Sequence, residues 1–92
     1  MTAILDSARP QLANGVRLQT DSITGKSVLL YPEGIVELNE TAHEIVSRCD
    51  GRSVAEIIQG LAEQYDAEAD ALGVDVCETL ADLQRRKLIE LT

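Results

Sequence analysis

The chain has 92 residues, enough for one small domain and too few for an enzyme that carries its own cofactor-binding domain. Apolar residues make up 45 %, as in ordinary globular proteins, but the aromatics are only Tyr31 and Tyr65, so the core must be aliphatic and a base-stacking platform is disfavoured. Sixteen acidic against eight basic side chains give a formal charge of −8, which repels phosphate backbones and argues against a nucleic-acid partner.

Residues 1–9 show no sustained period and read as a flexible N-terminal arm. Val16-Arg17-Leu18-Gln19-Thr20 alternates apolar and polar, as a half-buried strand does. Asp21 to Lys26 is a turn-rich connection. Ser27-Val28-Leu29-Leu30-Tyr31 follows as a second strand, apolar enough to expect cover on both faces. Pro32-Glu33-Gly34 supplies turn chemistry, and Ile35 to Leu38 reads as a third strand. The three form an antiparallel meander.

The period then changes to that of a helix. Asn39 or Thr41 can cap the first one, Thr41 with Glu44 fitting a capping box, and Ala42, Ile45, Val46 and Cys49 make its apolar stripe before Asp50-Gly51 stops it. A second helix opens at Ser53, with Glu56 placed to complete a capping box and a stripe of Val54, Ile57, Ile58, Leu61 and Tyr65. The third carries Leu72, Val76, Leu80 and Leu83 and ends in Arg85-Arg86-Lys87, where the helix dipole favours positive charge. Leu88 to Leu91 is an apolar tail able to pair as a short strand. The expected fold is a small α+β, winged-helix-like domain over residues 10–92, a three-stranded antiparallel sheet followed by a three-helix bundle.

Little in the sequence points to catalysis. Gly25-Lys26-Ser27 imitates the end of a phosphate-binding loop, but Thr20 stands where that motif needs glycine, and the segment leads into a strand instead of a helix. Ser22, preceded by Asp21, imitates the attachment serine of carrier proteins, yet lies between strands and not at the start of a helix. His43 reads as a solvated helix residue with no nucleophile placed beside it. The carboxylates from Asp66 to Asp82 lack calcium-loop spacing and read as a solvated face. Cys49 and Cys77 are too few for a disulfide framework and too far apart for a metal motif, so both are expected reduced and buried in the helical layer. Neither a membrane-spanning run nor a signal-peptide pattern is evident, and the expectation is a soluble cytoplasmic protein without metal or cofactor.

The string Val28-Leu29-Leu30-Tyr31-Pro32-Glu33-Gly34, with Leu38-Asn39, Thr41-Ala42, Cys49-Asp50-Gly51 and Asp75-Val76 before Leu80 and Leu83, resembles the PqqD family, peptide chaperones of pyrroloquinoline quinone (PQQ) biosynthesis. Gly15-Val16-Arg17-Leu18 is similar to the family's opening strand, so the resemblance runs from Pro10 to Leu91. It implies a protein with no catalysis of its own. Such a protein binds a small ribosomally made precursor peptide and presents it to a radical S-adenosylmethionine (SAM) enzyme, which joins a glutamate and a tyrosine side chain. In relatives with this recognition element the peptide adds as a strand beside the third strand, over a groove closed by the third helix. The residues this implies are Ile35, Val36, Glu37 and Leu38 on the strand, and Val76, Thr79, Leu80 and Leu83 on the helix. Since Val76, Leu80 and Leu83 also form the core stripe, Thr79 is the expected exposed contact.

Two other classes suit the same elements. A winged-helix DNA-binding regulator would need a basic recognition helix, whereas the third helix here is acidic until Arg85. A small dimerisation module is the other, with the N-terminal arm exchanged between the chains of a homodimer.

Overall fold

The computed structural model describes Ile4 and residues 6–92. Its elements in chain order are β1 (Pro10–Leu12), β2 (Arg17–Thr20), β3 (Ser27–Tyr31), β4 (Gly34–Leu38), α1 (Glu40–Val46), α2 (Val54–Tyr65), α3 (Ala69–Arg85) and β5 (Ile89–Leu91). The meander β2-β3-β4 is antiparallel as expected, and a separate two-stranded sheet pairs β1 with β5. The apolar tail thus does form a strand, and its partner is a segment whose three residues are too few to show an alternating pattern.

In the meander, Leu18, Leu29 and Val36 lie side by side across the three strands and face the helices. Leu29 is fully enclosed, while Val28 and Leu30 on the other face are only half-buried. The expectation of cover on both faces of β3 is therefore corrected. The helices lie on one side of the sheet, and the opposite face meets solvent, as antiparallel sheets permit.

Two turns set this sheet. Asp21 opens the β2–β3 loop: its side chain accepts from the Ile23 N–H at 2.8 Å, its carbonyl accepts from Gly25 at 2.8 Å, and Gly25 sits at φ +74°. The β3–β4 loop is Pro32-Glu33 alone, because Tyr31 pairs with Gly34.

Asn39, not Thr41, caps α1, accepting from the Ala42 N–H at 2.7 Å. The capping box of α2 is present in both directions: Ser53 Oγ accepts from the Glu56 N–H at 3.2 Å, and Glu56 Oε1 accepts from the Ser53 N–H at 2.9 Å. Losing such a cap costs about 1 kcal/mol. Beyond α3 the chain turns at Lys87, at φ 62°, with the Leu88 N–H donating to the Leu83 carbonyl and the Lys87 N–H to Gln84, both at 2.9 Å. This is a Schellman end, and it drops Leu88 and Ile89 into the core as β5 begins.

One aliphatic core joins the layers: Leu29 from the sheet, Ile45 and Val46 from α1, Val54, Ile57 and Leu61 from α2, Val76, Leu80 and Leu83 from α3, and Leu88 and Ile89 from the tail. Burying a leucine or isoleucine contributes roughly 1.5–3 kcal/mol, and truncating one to alanine here should cost about 2–5. Tyr65 departs from its expected place in the α2 stripe. It is 41 % exposed at the helix end, near Glu40 and Glu44 of α1.

Of the expected arm, residues 1–3 and 5 lie outside the described residues. The Ala8 and Asp6 carbonyls accept from the Val54 and Ala55 N–H groups at 2.8 and 3.0 Å, and Arg9 and Thr92 exchange backbone bonds at 3.1 and 3.2 Å.

Candidate functional site

Among the described residues β4 is an edge strand, bonded to β3 on one side only. Which of its backbone groups are free follows from the register. Tyr31 and Gly34 close the two-residue turn and so form a hydrogen-bonded pair, and such pairs alternate along an antiparallel ladder. Val36 opposite Leu29 and Leu38 opposite Ser27 therefore spend their N–H and C=O groups on β3, while those of Ile35 and Glu37 point away from it. The open edge offers two donors and two acceptors from these two residues, a template for one more strand.

Beside that edge runs a groove of about 330 Å³ between β4 and α3. Val36, Glu37 and Leu38 form one wall, Thr79 and Leu83 belong to the other, and Ala42 of α1 contributes to the lining. Five of the eight residues expected at the site are thus brought together there. Ile35 belongs to the same edge but turns its side chain, 60 % exposed, to the outer face. Val76 and Leu80 point into the core at 1 % and 0 % exposure and present no surface to the groove. Their place follows from the helical period: the stripe of Leu72, Val76, Leu80 and Leu83 is spent on the core, and only its edge at Leu83 reaches the groove.

The groove is also lined by Glu78 and Asp82, expected on a solvated acidic face, and by Arg86, expected only as part of the basic end of the third helix. Their spacing of four is the available signal, since it places them one above another next to Thr79. Asp82 is engaged by two cations, Arg85 at 3.0 Å and Arg86 at 3.2 Å. Across the strand, Lys26 meets Glu37 at 3.7 Å with both side chains mostly exposed, a pair of little energetic weight. The groove therefore has apolar patches at Val36, Leu38, Ala42 and Leu83 and a charged rim.

His43 is half-buried, not solvated as expected. Its α1 face turns towards the end of the sheet, into a depression shared with Thr20, Ser27 and Leu38, and its Nδ1 is buried without a hydrogen-bond partner. Cys49 is buried, and burial reinforced by Asp50 pushes its thiol up to about 12. Cys77 is only half-buried, at the α2–α3 side, and its thiol is also raised, by burial and then by Asp6. Neither thiol is activated as a nucleophile. Among the described residues no three His, Cys, Asp or Glu side chains converge as a metal site, and no helix is long and apolar enough to cross a membrane.

A strand edge left open beside a helix-walled groove is the geometry by which small domains take up an extended peptide as an additional strand. The comparisons place the chain more narrowly. It belongs to the PqqD family: the family model described as coenzyme PQQ synthesis protein D (PqqD) matches residues 26–89. A protein of Xanthomonas oryzae pv. oryzae named "PqqA binding protein" is 45 % identical over 92 residues, covering 99 % of this chain and all of that one. Its namesake in Xanthomonas axonopodis pv. citri is 42 % identical over the same span. Among solved structures, the PqqD portion of Methylobacterium extorquens PqqCD superposes with a TM-score of 0.83 at 36 % identity, covering 97 % of this chain and 96 % of that one. That portion is described as a functional and stand-alone recognition element for ribosomally synthesised and post-translationally modified peptides.

Proposed function

We propose that this chain is a peptide chaperone of PQQ biosynthesis. It binds the precursor peptide PqqA as a strand added along β4, above the groove walled by α3, and presents it to a radical SAM enzyme for glutamate–tyrosine cross-linking. The observation that carries this reading is the open edge itself: the outward N–H and C=O groups of Ile35 and Glu37 stand beside a groove with room for side chains. Main-chain pairing supplies affinity there, and alternate peptide side chains entering between β4 and α3 supply specificity. The name given to the Xanthomonas relatives supports PqqA as the ligand. In this reading the arrangement of α2, α3 and the β3–β4 hairpin is winged-helix-like, the protein acts in the cytoplasm, and the chemistry belongs to the partner enzyme. A DNA-reading role finds no support, because α3 carries Asp70, Asp75, Glu78 and Asp82 before its first base, Arg85.

Calorimetric titration with PqqA, paired with amide shift mapping, tests the proposal. Saturable binding should shift the amides of residues 35–38 together with those of Thr79 and Asp82. Absence of saturable binding, or shifts confined to another face, would overturn it.

A further inference from the structure

A second concavity, more than twice the volume of the groove beside β4, lies elsewhere on the molecule. It lies between α2 and α3, has a volume of about 850 Å³, and is floored by Ile58, Ala62, Gly73, Val74 and Cys77. Small residues create it. At Gly73 a Cβ would stand 3.6 Å from Ile58 Cδ1, so a longer side chain there would project into the space between the helices. Val74 is 59 % exposed, an apolar side chain left facing water at the groove. The rim is of one sign: Asp6, Glu63, Asp66 and Asp70 border the groove, and neither lysine nor arginine is among its lining residues. No ion pair among the described residues engages these four carboxylates.

We infer that this groove is a second docking surface, which takes an amphipathic basic helix of a partner protein. Charge selects the occupant: four carboxylates around an apolar floor favour lysine or arginine flanking an apolar stripe. A second copy of this chain is disfavoured on the same ground, since each copy carries −8. Backbone chemistry selects the conformation. Both walls are helices whose backbone groups are already bonded to one another, so an extended segment would find no strand edge to pair with. A helix satisfies its own backbone and brings only side chains.

The position on α3 gives the groove a separate role. At about 100° per residue, Asp70, Gly73 and Cys77 lie roughly opposite Thr79, Asp82 and Arg86, with Val74 and Glu78 four apart on the outer face between the two groups. The groove beside β4 and the groove beside α2 are two flanks of one helix, with the core stripe between them, and both can be filled at once. The inference goes beyond the peptide-binding reading and stands without it.

The test uses the whole chain and an 18-residue leucine/lysine amphipathic helix as the probe, with its leucine/glutamate counterpart as control. The lysine probe should bind saturably and shift the amides of Ile58, Ala62, Gly73 and Val74, while the glutamate probe should not bind. Gly73→Leu fills the floor and replaces a helical glycine by a better helix former, so the fold should hold. It should weaken the probe at least tenfold, as should the exposed rim reversal Glu63→Lys with Asp70→Lys. Saturating PqqA should change probe affinity by less than twofold. The inference is overturned by shifts centred elsewhere, by variants that bind as wild type, by competition from PqqA, or by self-association through this face that Gly73→Leu abolishes. Failure of PqqA itself to bind would leave the probe result readable and would count only against the peptide-binding reading.

Discussion

The ring of Tyr31 lies across Gly34, its hydroxyl oxygen 3.3 Å from where a Cβ on that glycine would stand. The two residues close the β3–β4 turn, so their contact fixes the register from which the free groups of β4 follow. Gly34 does not have the positive φ at which Gly15, Gly25 and Gly51 sit, so what a side chain there would have to displace is the tyrosine, and the backbone itself accepts one.

Replacing Gly34 by valine sets two effects against each other. A branched residue suits a strand better than glycine by up to about 1 kcal/mol, while forcing atoms against Tyr31 costs about 1–3. The net expectation is a loss of roughly 1 kcal/mol in denaturant unfolding. In a Tyr31→Ala background the same replacement should be neutral or stabilising. An equal effect in both backgrounds would show that the two residues are not coupled.

A second prediction concerns acid. Arg48 donates to the Glu44 carboxylate at 2.8 Å, Gln64 donates to the same oxygen at 3.1 Å, and Arg48 also donates to Gln64, tying α1 to α2. The Arg48 bond first, and the Gln64 bond second, hold the Glu44 carboxyl below its ordinary value of 4.5. A carboxyl depressed on folding stabilises fully above its unfolded pKa, and the contribution disappears as pH falls through the folded one. Glu44→Gln should therefore cost about 1 kcal/mol at pH 7, and the difference from wild type should shrink steadily below about pH 4.5. A difference constant down to pH 3 would contradict this.

Lys87 occupies the left-handed position that ends α3 in a conformation glycine adopts more easily. Lys87→Gly should raise stability by about 0.5–1 kcal/mol, the relief of strain outweighing the extra freedom of the unfolded chain. A lower melting temperature would mean that the lysine side chain contributes more than its backbone costs.

The thiols should separate under native labelling at pH 8. Cys77, half-buried, should react first, and Cys49, whose thiol is pushed up to about 12, should react only as the domain opens. Equal fast rates would place Cys49 outside the core.

Much of this was legible in the residues. The bounds of β3, the Pro32-Glu33 turn and the Ser53–Glu56 capping box are local devices, written in neighbouring positions. The β1–β5 sheet was not, because it joins ends of the chain through contacts such as Arg9 to Thr92, 83 positions apart. At the site, β4 with Thr79 and Leu83 came from the resemblance and the strand pattern. Val76 and Leu80 lie in the core and not on the groove, because one helical period has to serve the core first, and nothing in the sequence beyond their spacing marks Glu78, Asp82 and Arg86 as groove-lining, because charge on a helix looks the same whether it borders a groove or open water. Which β4 amides are free could be read only once the register was known.

That register makes the decisive measurement a comparison of two prolines in β4, read by calorimetry with PqqA after circular dichroism has established the fold. Glu37→Pro removes a donor that points away from β3, where an edge strand tolerates proline, so the variant should fold. It should bind PqqA more weakly by roughly 1–3 kcal/mol, about five- to 150-fold. Val36→Pro removes a donor spent on Leu29 and should instead lower stability. A folded Glu37→Pro variant with wild-type affinity for PqqA would contradict strand addition at this edge.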